Sequence, residues 1–130
     1  MRTRIAIGVA LVLAVSAIAT ITAGSLMPTR QSALVLLNRP TIIAGAMASG
    51  PVIFVHDHEK MAKGEPCTTV YRSRSGQPGT KVVEFMCRPE QAARAEHFTV
   101  RCTRGISAPD VLVEYQFMGD TETHGVPWRP

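Results

Sequence analysis

At 130 residues the chain has material for one domain at most, and its 45% hydrophobic content can build a core only if nearly all of it takes part. Aromatic side chains make up only 5%, so such a core rests on Val, Ile, Leu and Met, and 10 Gly with 9 Pro interrupt the chain too often for long helices. Of the 14 basic residues, Arg2 and Arg4 belong to an N-terminal leader, which leaves 12 against 10 acidic ones, scattered between apolar segments; this excludes an electrostatic footprint for nucleic acid or a membrane surface.

The leader itself is Arg2 and Arg4 followed by an uncharged apolar run from Ile5 to Ala23. Ala17-Ile18-Ala19 places small residues at the two positions a signal peptidase reads and leaves Ile5 to Val15 as the apolar region. A helical signal peptide over residues 1–19, cleaved after Ala19, is therefore expected. Its rival is an uncleaved anchor over residues 5–23, whose length approaches the roughly 17 to 25 residues that cross a bilayer. Either reading puts the remaining chain outside the cytoplasm, periplasmic or secreted, with membrane contact confined to the N-terminal segment. The first cysteine, Cys67, lies too far along for a lipoprotein.

Residues 20–32 read as a polar linker containing Pro28 and Arg30, and residues 33–118 as the folded domain. The apolar stretch Ala33 to Val55 is not a membrane span, because Asn38-Arg39-Pro40 sits in its middle and Gly50-Pro51 near its end. Short strands are expected instead over Ala33–Leu37, Thr41–Ala44 and Val52–His56, with residues 45–51 turning between the last two. LNRPTIIAG in this region, together with the later Pro66-Cys67-Thr68-Thr69 strand start, resembles small exported β-domain proteins of unknown function from environmental bacteria. That resemblance implies an exported β domain and no particular activity.

In the second half, alternation predicts register as well as strand identity. Pairing Arg101 with Glu114 opposes unlike charges on one face of a hairpin, and on the other face sets Phe98 by Phe117, Val100 by Tyr115 and Cys102 by Val113. Residues 104–110, with Gly105 and Pro109, suit the connection. A second hairpin around residues 73–81 is expected to oppose Tyr71 to Val83, Thr69 to Phe85 and Cys67 to Cys87; a slip of two residues would instead pair Arg72 with Glu84 and separate the cysteines. RPEQAARAEH suggests a short helix over 89–95. Pairing Cys87 with Phe98, Phe85 with Val100 and Val83 with Cys102 would then join the hairpins into a four-stranded meander. The fold class expected is all-β, a small antiparallel sandwich or barrel of about six to seven strands. An irregular tail is expected over 119–130, where Trp128 could serve as a partner contact, fold back over a sheet edge or stay disordered.

Chemistry-bearing residues concentrate in VIFVHDHEKMAKGEPCTTVYR, residues 52–72. On an extended backbone His56 and His58 share a face and can hold Cu(II), Zn(II) or Ni(II), with Asp57, Glu59, Cys67, His97 or His124 as further ligands. The alternative is a strand ending in a polar turn where Asp57 accepts backbone amides. In an oxidising compartment Cys67 and Cys87 are the expected disulfide, closing a loop worth about 3 kcal/mol on the chain-entropy model. Cys102 is expected to be a buried, inert thiol. Neither a nucleophile elbow, a His-Glu-x-x-His helix nor a phosphate loop is present in the sequence. Cys67/His56 or Cys102/His97 would be the thiol–imidazole pairs of an enzyme, but opposition to Cys87 and burial argue against a reactive thiolate in either. The expected role is thus a non-catalytic exported binding or structural module, with a metal-binding protein and a thiol redox protein as the competing readings.

Overall fold

A computed structural model describes residues 29–130. The leader expected over 1–19, its anchor alternative ending at residue 23, and all but the end of the 20–32 linker lie outside the described residues. The described residues are mostly β, with 61% of them in strands and about one helix. In chain order the elements are β1 (Arg30–Ile43), β2 (Ala46–Asp57), α1 (His58–Ala62), β3 (Thr68–Arg74), β4 (Gln77–Phe85), β5 (Arg88–Gln91), β6 (Thr99–Thr103), β7 (Asp110–Gln116) and β8 (Glu122–Gly125). They form a single curled eight-stranded sheet, a half-barrel, ordered β4-β3-β2-β1-β7-β8-β5, with β6 paired to β7 off that path. The expected purely antiparallel arrangement is corrected by β1 and β7, which run parallel through Thr41↔Asp110 and Ile42↔Val111.

The two strands expected at 33–37 and 41–44 are one. Asn38-Arg39-Pro40 is absorbed as a bulge, since pairing moves from Leu37↔Gly50 to Thr41↔Ala48 and gives β1 two residues more than β2 over this stretch. Pro40 lacks an N–H, so a bulge is where a strand tolerates it. The turn into β2 is also tighter than expected: Ala44 and Gly45 alone make it, both at positive φ, 46° and 84°. That is the type I′ geometry whose twist matches the flanking strands. Gly50-Pro51 lies inside β2.

In the β3–β4 hairpin the expected register is off by one. The turn is Ser75-Gly76, and the ladder runs Thr68↔Phe85, Thr69↔Glu84 and Val70↔Val83, with shifts beyond Val70. A one-residue change exchanges the faces. Thr68 and Val70 are therefore fully buried, while Thr69 and Tyr71 are only half-buried. Burying Val70 beside Val83 and Phe85 leaves no polar atom to satisfy, whereas an inward Tyr71 would need a partner for its hydroxyl. The β6–β7 register is close to expectation: Val100↔Tyr115 and Arg101↔Glu114 pair, with Arg101 Nε 2.8 Å from Glu114 Oε1. A shift after Arg101 sets Cys102 opposite Leu112 instead of Val113, so Leu112 turns inward.

The expected meander and helix do not form. β6 pairs with β7 alone, and β4 is a sheet edge. Residues 88–91 are strand β5, and no helix follows over 92–95. Two turns of isolated helix are marginal in water. Pairing with β8, from Arg88↔Gly125 to Gln91↔Glu122, satisfies the same backbone, and an edge strand accepts Pro89. The tail is not irregular either, because β8 links β7 to β5 and Val126 is buried.

One polar network pins the loop between β6 and β7 to the bulge of β1. Arg39 donates from Nη2 to the Gly105 carbonyl at 3.0 Å and lies 3.4 Å from Asp110 Oδ1, which also accepts from the Gly105 N–H at 3.0 Å. A Cβ on Gly105 would stand 2.3 Å from the Ala108 carbonyl oxygen and 2.4 Å from that of Pro109. Gly105→Ala is therefore expected to destabilise the fold by about 1–3 kcal/mol, read as a lowered denaturation midpoint. An unchanged midpoint would show that the loop does not support the β1–β7 junction.

Candidate functional site

The core-facing row of β2 is Val52, Phe54 and His56, three fully buried residues at alternate positions. The last of them places an imidazole where a valine or phenylalanine would continue the pattern. His124, also fully buried, faces inward from β8. In the strand order β2 and β8 are three steps apart, about 14 Å in a flat sheet. Their histidine rings nevertheless lie 4.3 Å apart between centroids. The curl of the sheet, not strand pairing, brings them together.

Cys87 occupies the seam this curl creates. β4 and β5 are the opposite ends of the strand order, yet only Met86 and Cys87 separate them in sequence. Three peptide steps hold Phe85 and Arg88 within about 11 Å, so the two edges must approach each other at this end. Cys67, just before β3, donates its N–H to the Phe85 carbonyl at 3.1 Å and accepts from the Asp57 N–H at 2.9 Å. Both cysteines are buried.

Cys87 Sγ is the hub of the cluster. It lies 3.4 Å from His56 Nε2, 3.5 Å from His124 Nδ1, 2.8 Å from Cys67 Sγ and 3.9 Å from the Met61 thioether. The donor atoms of His56, Cys87 and His124 all fall within 4.8 Å of one another. The Cys87 N–H points at Cys67 Sγ, 3.3 Å away. Tyr115 stacks on His124 at a centroid distance of 5.1 Å, and its hydroxyl hydrogen-bonds the Thr68 hydroxyl. The outer ring nitrogens, His56 Nδ1 and His124 Nε2, are buried without a partner. Glu122 Oε1 stands 4.0 Å from His124 Nε2, within reach of a small adjustment.

Burial pushes His124 down from 6.5 to about 3, with repulsion from His56 and His58 adding to the effect, so the ring is neutral at pH 7. In the cysteine pair, the hydrogen bond from the Cys87 thiol holds Cys67 well below the usual thiol range, with His56 contributing. The same contact, together with burial, pushes Cys87 up. The pair thus releases its first proton early and its second late. Cys102, half-buried on β6, is pushed up by desolvation and stands outside the cluster.

The sequence-predicted set is only partly assembled. His56 is in the cluster, but His58 begins α1 and turns its Nε2 to Gln31 Oε1 at 3.1 Å, meeting His56 only edge-on at 4.5 Å. Asp57 is the N-cap of α1; its Oδ1 accepts from the Glu59 and Lys60 N–H groups at 3.0 and 3.1 Å, so its carboxylate is committed to the helix start. Glu59 and His97 are exposed. Cys67 and Cys87, paired from sequence as a disulfide, are two adjacent thiols. The cluster's third member is His124, which no local pattern in TETHG distinguishes, because its role depends on a curl set by strands elsewhere. Met61 was likewise unmarked. No family model, curated protein or solved structure matches this chain.

A neutral, buried His124 makes the metal-free fold sensitive to acid. Between about pH 6.5 and 3 the unfolded chain protonates this imidazole and the folded chain does not, so stability falls as pH falls. With a chelator present, moving from pH 7 to pH 5 should cost about 2 kcal/mol from this group, read from denaturant midpoints. His124→Gln should flatten that part of the profile, and an equally steep profile in the variant would assign the effect elsewhere.

Proposed function

We propose that this chain is an exported, non-catalytic β module that binds a transition-metal ion, zinc or copper, through His56 Nε2, Cys87 Sγ and His124 Nδ1. The spacing of Cys87 Sγ from the two imidazole nitrogens, 3.4 and 3.5 Å, carries this reading. Metal bonds of about 2.3 Å to sulfur and about 2.0–2.1 Å to imidazole nitrogen, opened to a tetrahedral angle, separate two such donors by about 3.5–3.6 Å. The two sulfur–nitrogen separations thus already match edges of a coordination tetrahedron, and all three donor atoms lie within 4.8 Å of one another. Two sulfur ligands would be about 3.8 Å apart by the same geometry, which the Met61 thioether fits at 3.9 Å as a fourth donor.

Three further observations support it. His124 is neutral, the state a ligand requires. Burial of His56, Cys87 and His124 removes competing water. The outer nitrogen of His124 has the Glu122 carboxylate 4.0 Å away, on the side where a ligating imidazole ordinarily donates, whereas His56 Nδ1 has no acceptor beside it. Thiolate and imidazole together favour zinc and copper over hard cations such as magnesium and calcium. The Arg2/Arg4 leader with its Ala-x-Ala site supports export.

Titrating the reduced chain, purified without an affinity tag, with Zn(II) should give one equivalent bound. Cys87→Ser and His124→Ala should each weaken binding by at least about tenfold, or ~1.4 kcal/mol, while His58→Ala should leave it within about threefold. A loss from His58→Ala as large as that from His124→Ala would return the site to the His56/His58 pair. No bound metal in the reduced wild type would end the metal reading.

A further inference from the structure

Resting on that metal reading, we propose that Cys67 and Cys87 gate the site by redox chemistry: oxidation joins them in a disulfide that withdraws Cys87 Sγ from the metal, so bound ion and disulfide exclude each other.

Geometry separates the two cysteines into different roles. Cys87 sits at ligand spacing from both imidazoles, but Cys67 Sγ lies only 2.8 Å from Cys87 Sγ, about 1 Å short of the separation of two thiolates on one tetrahedral ion. Cys67 is thus misplaced as a co-ligand and well placed as a bonding partner, since a shift of less than about 1 Å reaches the disulfide bond length. Its sulfur receives the Cys87 N–H at 3.3 Å, a donor that favours the thiolate needed for attack. Both cysteines are almost fully buried, 3% and 8% exposed, which favours a small oxidant such as hydrogen peroxide over a bulky disulfide.

The chemistry balances with peroxide as the electron acceptor. The Cys67 thiolate attacks one peroxide oxygen, the O–O bond breaks, and the departing hydroxide takes up a proton as water, leaving a sulfenic acid. Cys87 then attacks the Cys67 sulfur, the S–O bond breaks, and the hydroxide released takes the remaining proton. Two thiols and one peroxide become one disulfide and two waters. A disulfide sulfur is no longer a thiolate, so of the three ligands only His56 and His124 remain, and the ion leaves. By linkage, bound metal must in turn protect the pair from oxidation. A dithiol reductant restores both thiols and the site.

The test uses Zn(II) alone as the probe and the purified chain in three states: reduced, peroxide-treated with the excess removed, and re-reduced. The gate predicts that peroxide consumes two thiols of three, that mass spectrometry finds the peptides of Cys67 and Cys87 joined, and that zinc affinity drops at least tenfold and returns on re-reduction. Zinc-loaded protein should lose its thiols at least several-fold more slowly than the metal-free form. Cys67→Ser, with its far-UV circular dichroism checked against wild type, should bind zinc within about threefold of wild type. A bridged protein that binds zinc as tightly as the reduced one overturns the gate while leaving the metal site standing. A Cys67→Ser loss matching that of Cys87→Ser overturns it too, by making Cys67 a ligand. Reduced wild type that takes up no zinc overturns the metal reading, and the gate with it.

Discussion

The two residues Met86 and Cys87 impose the constraint from which the rest of the structure follows. They join β4 to β5, and those strands terminate opposite ends of the sheet, so the chain cannot connect them unless the sheet curls until its edges approach. Sheets twist readily in one sense, and bulges sharpen the bend. Here the ladders of β1, β3 and β6 all carry register shifts. The same curl faces the inner row of β2 toward β8. Phe54, Tyr115, Phe98 and Phe117 fill the space between with ring centroids 5.1 to 6.2 Å apart. A composition with 5% aromatics thus places four of its seven large rings in one cluster, beside the histidines.

At the seam the packing changes from apolar to donor-rich without opening to solvent. Burying imidazole and thiol groups with unsatisfied nitrogens costs about 1–3 kcal/mol for each lost partner. An apolar residue at position 56 or 124 would avoid that cost and continue the surrounding core. The presence of histidine at both, converging on one sulfur, is the feature that the proposed metal would explain: the ion would bond the inner nitrogens, while the outer ones, His56 Nδ1 and His124 Nε2, still carry that cost. It would also bind β2, β8 and the β4–β5 link together, so binding free energy would become folding free energy.

How much of this was legible in the sequence depended on whether the information was local. Arg101 against Glu114 and Val100 against Tyr115 were readable because charge and apolarity alternate together, and both pairs occur. Asp57 as an amide acceptor was readable from turn chemistry. The β3–β4 register was not, because Val70 and Tyr71 each satisfy an apolar pattern and only packing chooses between the faces. Residues 89–95 read as helix on propensity, yet RPEQ found a strand partner in a tail with no alternation of its own. His58 looked like the natural mate of His56 at spacing two, but Asp57 starts a helix between them and turns its ring to Gln31. His124 entered through a long-range curl that no window of sequence contains.

The central claim is that one sulfur and two imidazoles, from the seam and from strands three steps apart, meet on a single ion. X-ray absorption at the zinc K edge of the reduced, zinc-loaded chain tests it most directly. The account predicts a first shell with sulfur at about 2.3 Å and nitrogen at about 2.0–2.1 Å, with the outer-shell scattering of two imidazole rings. A shell of oxygen and nitrogen without sulfur, or one lacking imidazole scattering, would contradict it.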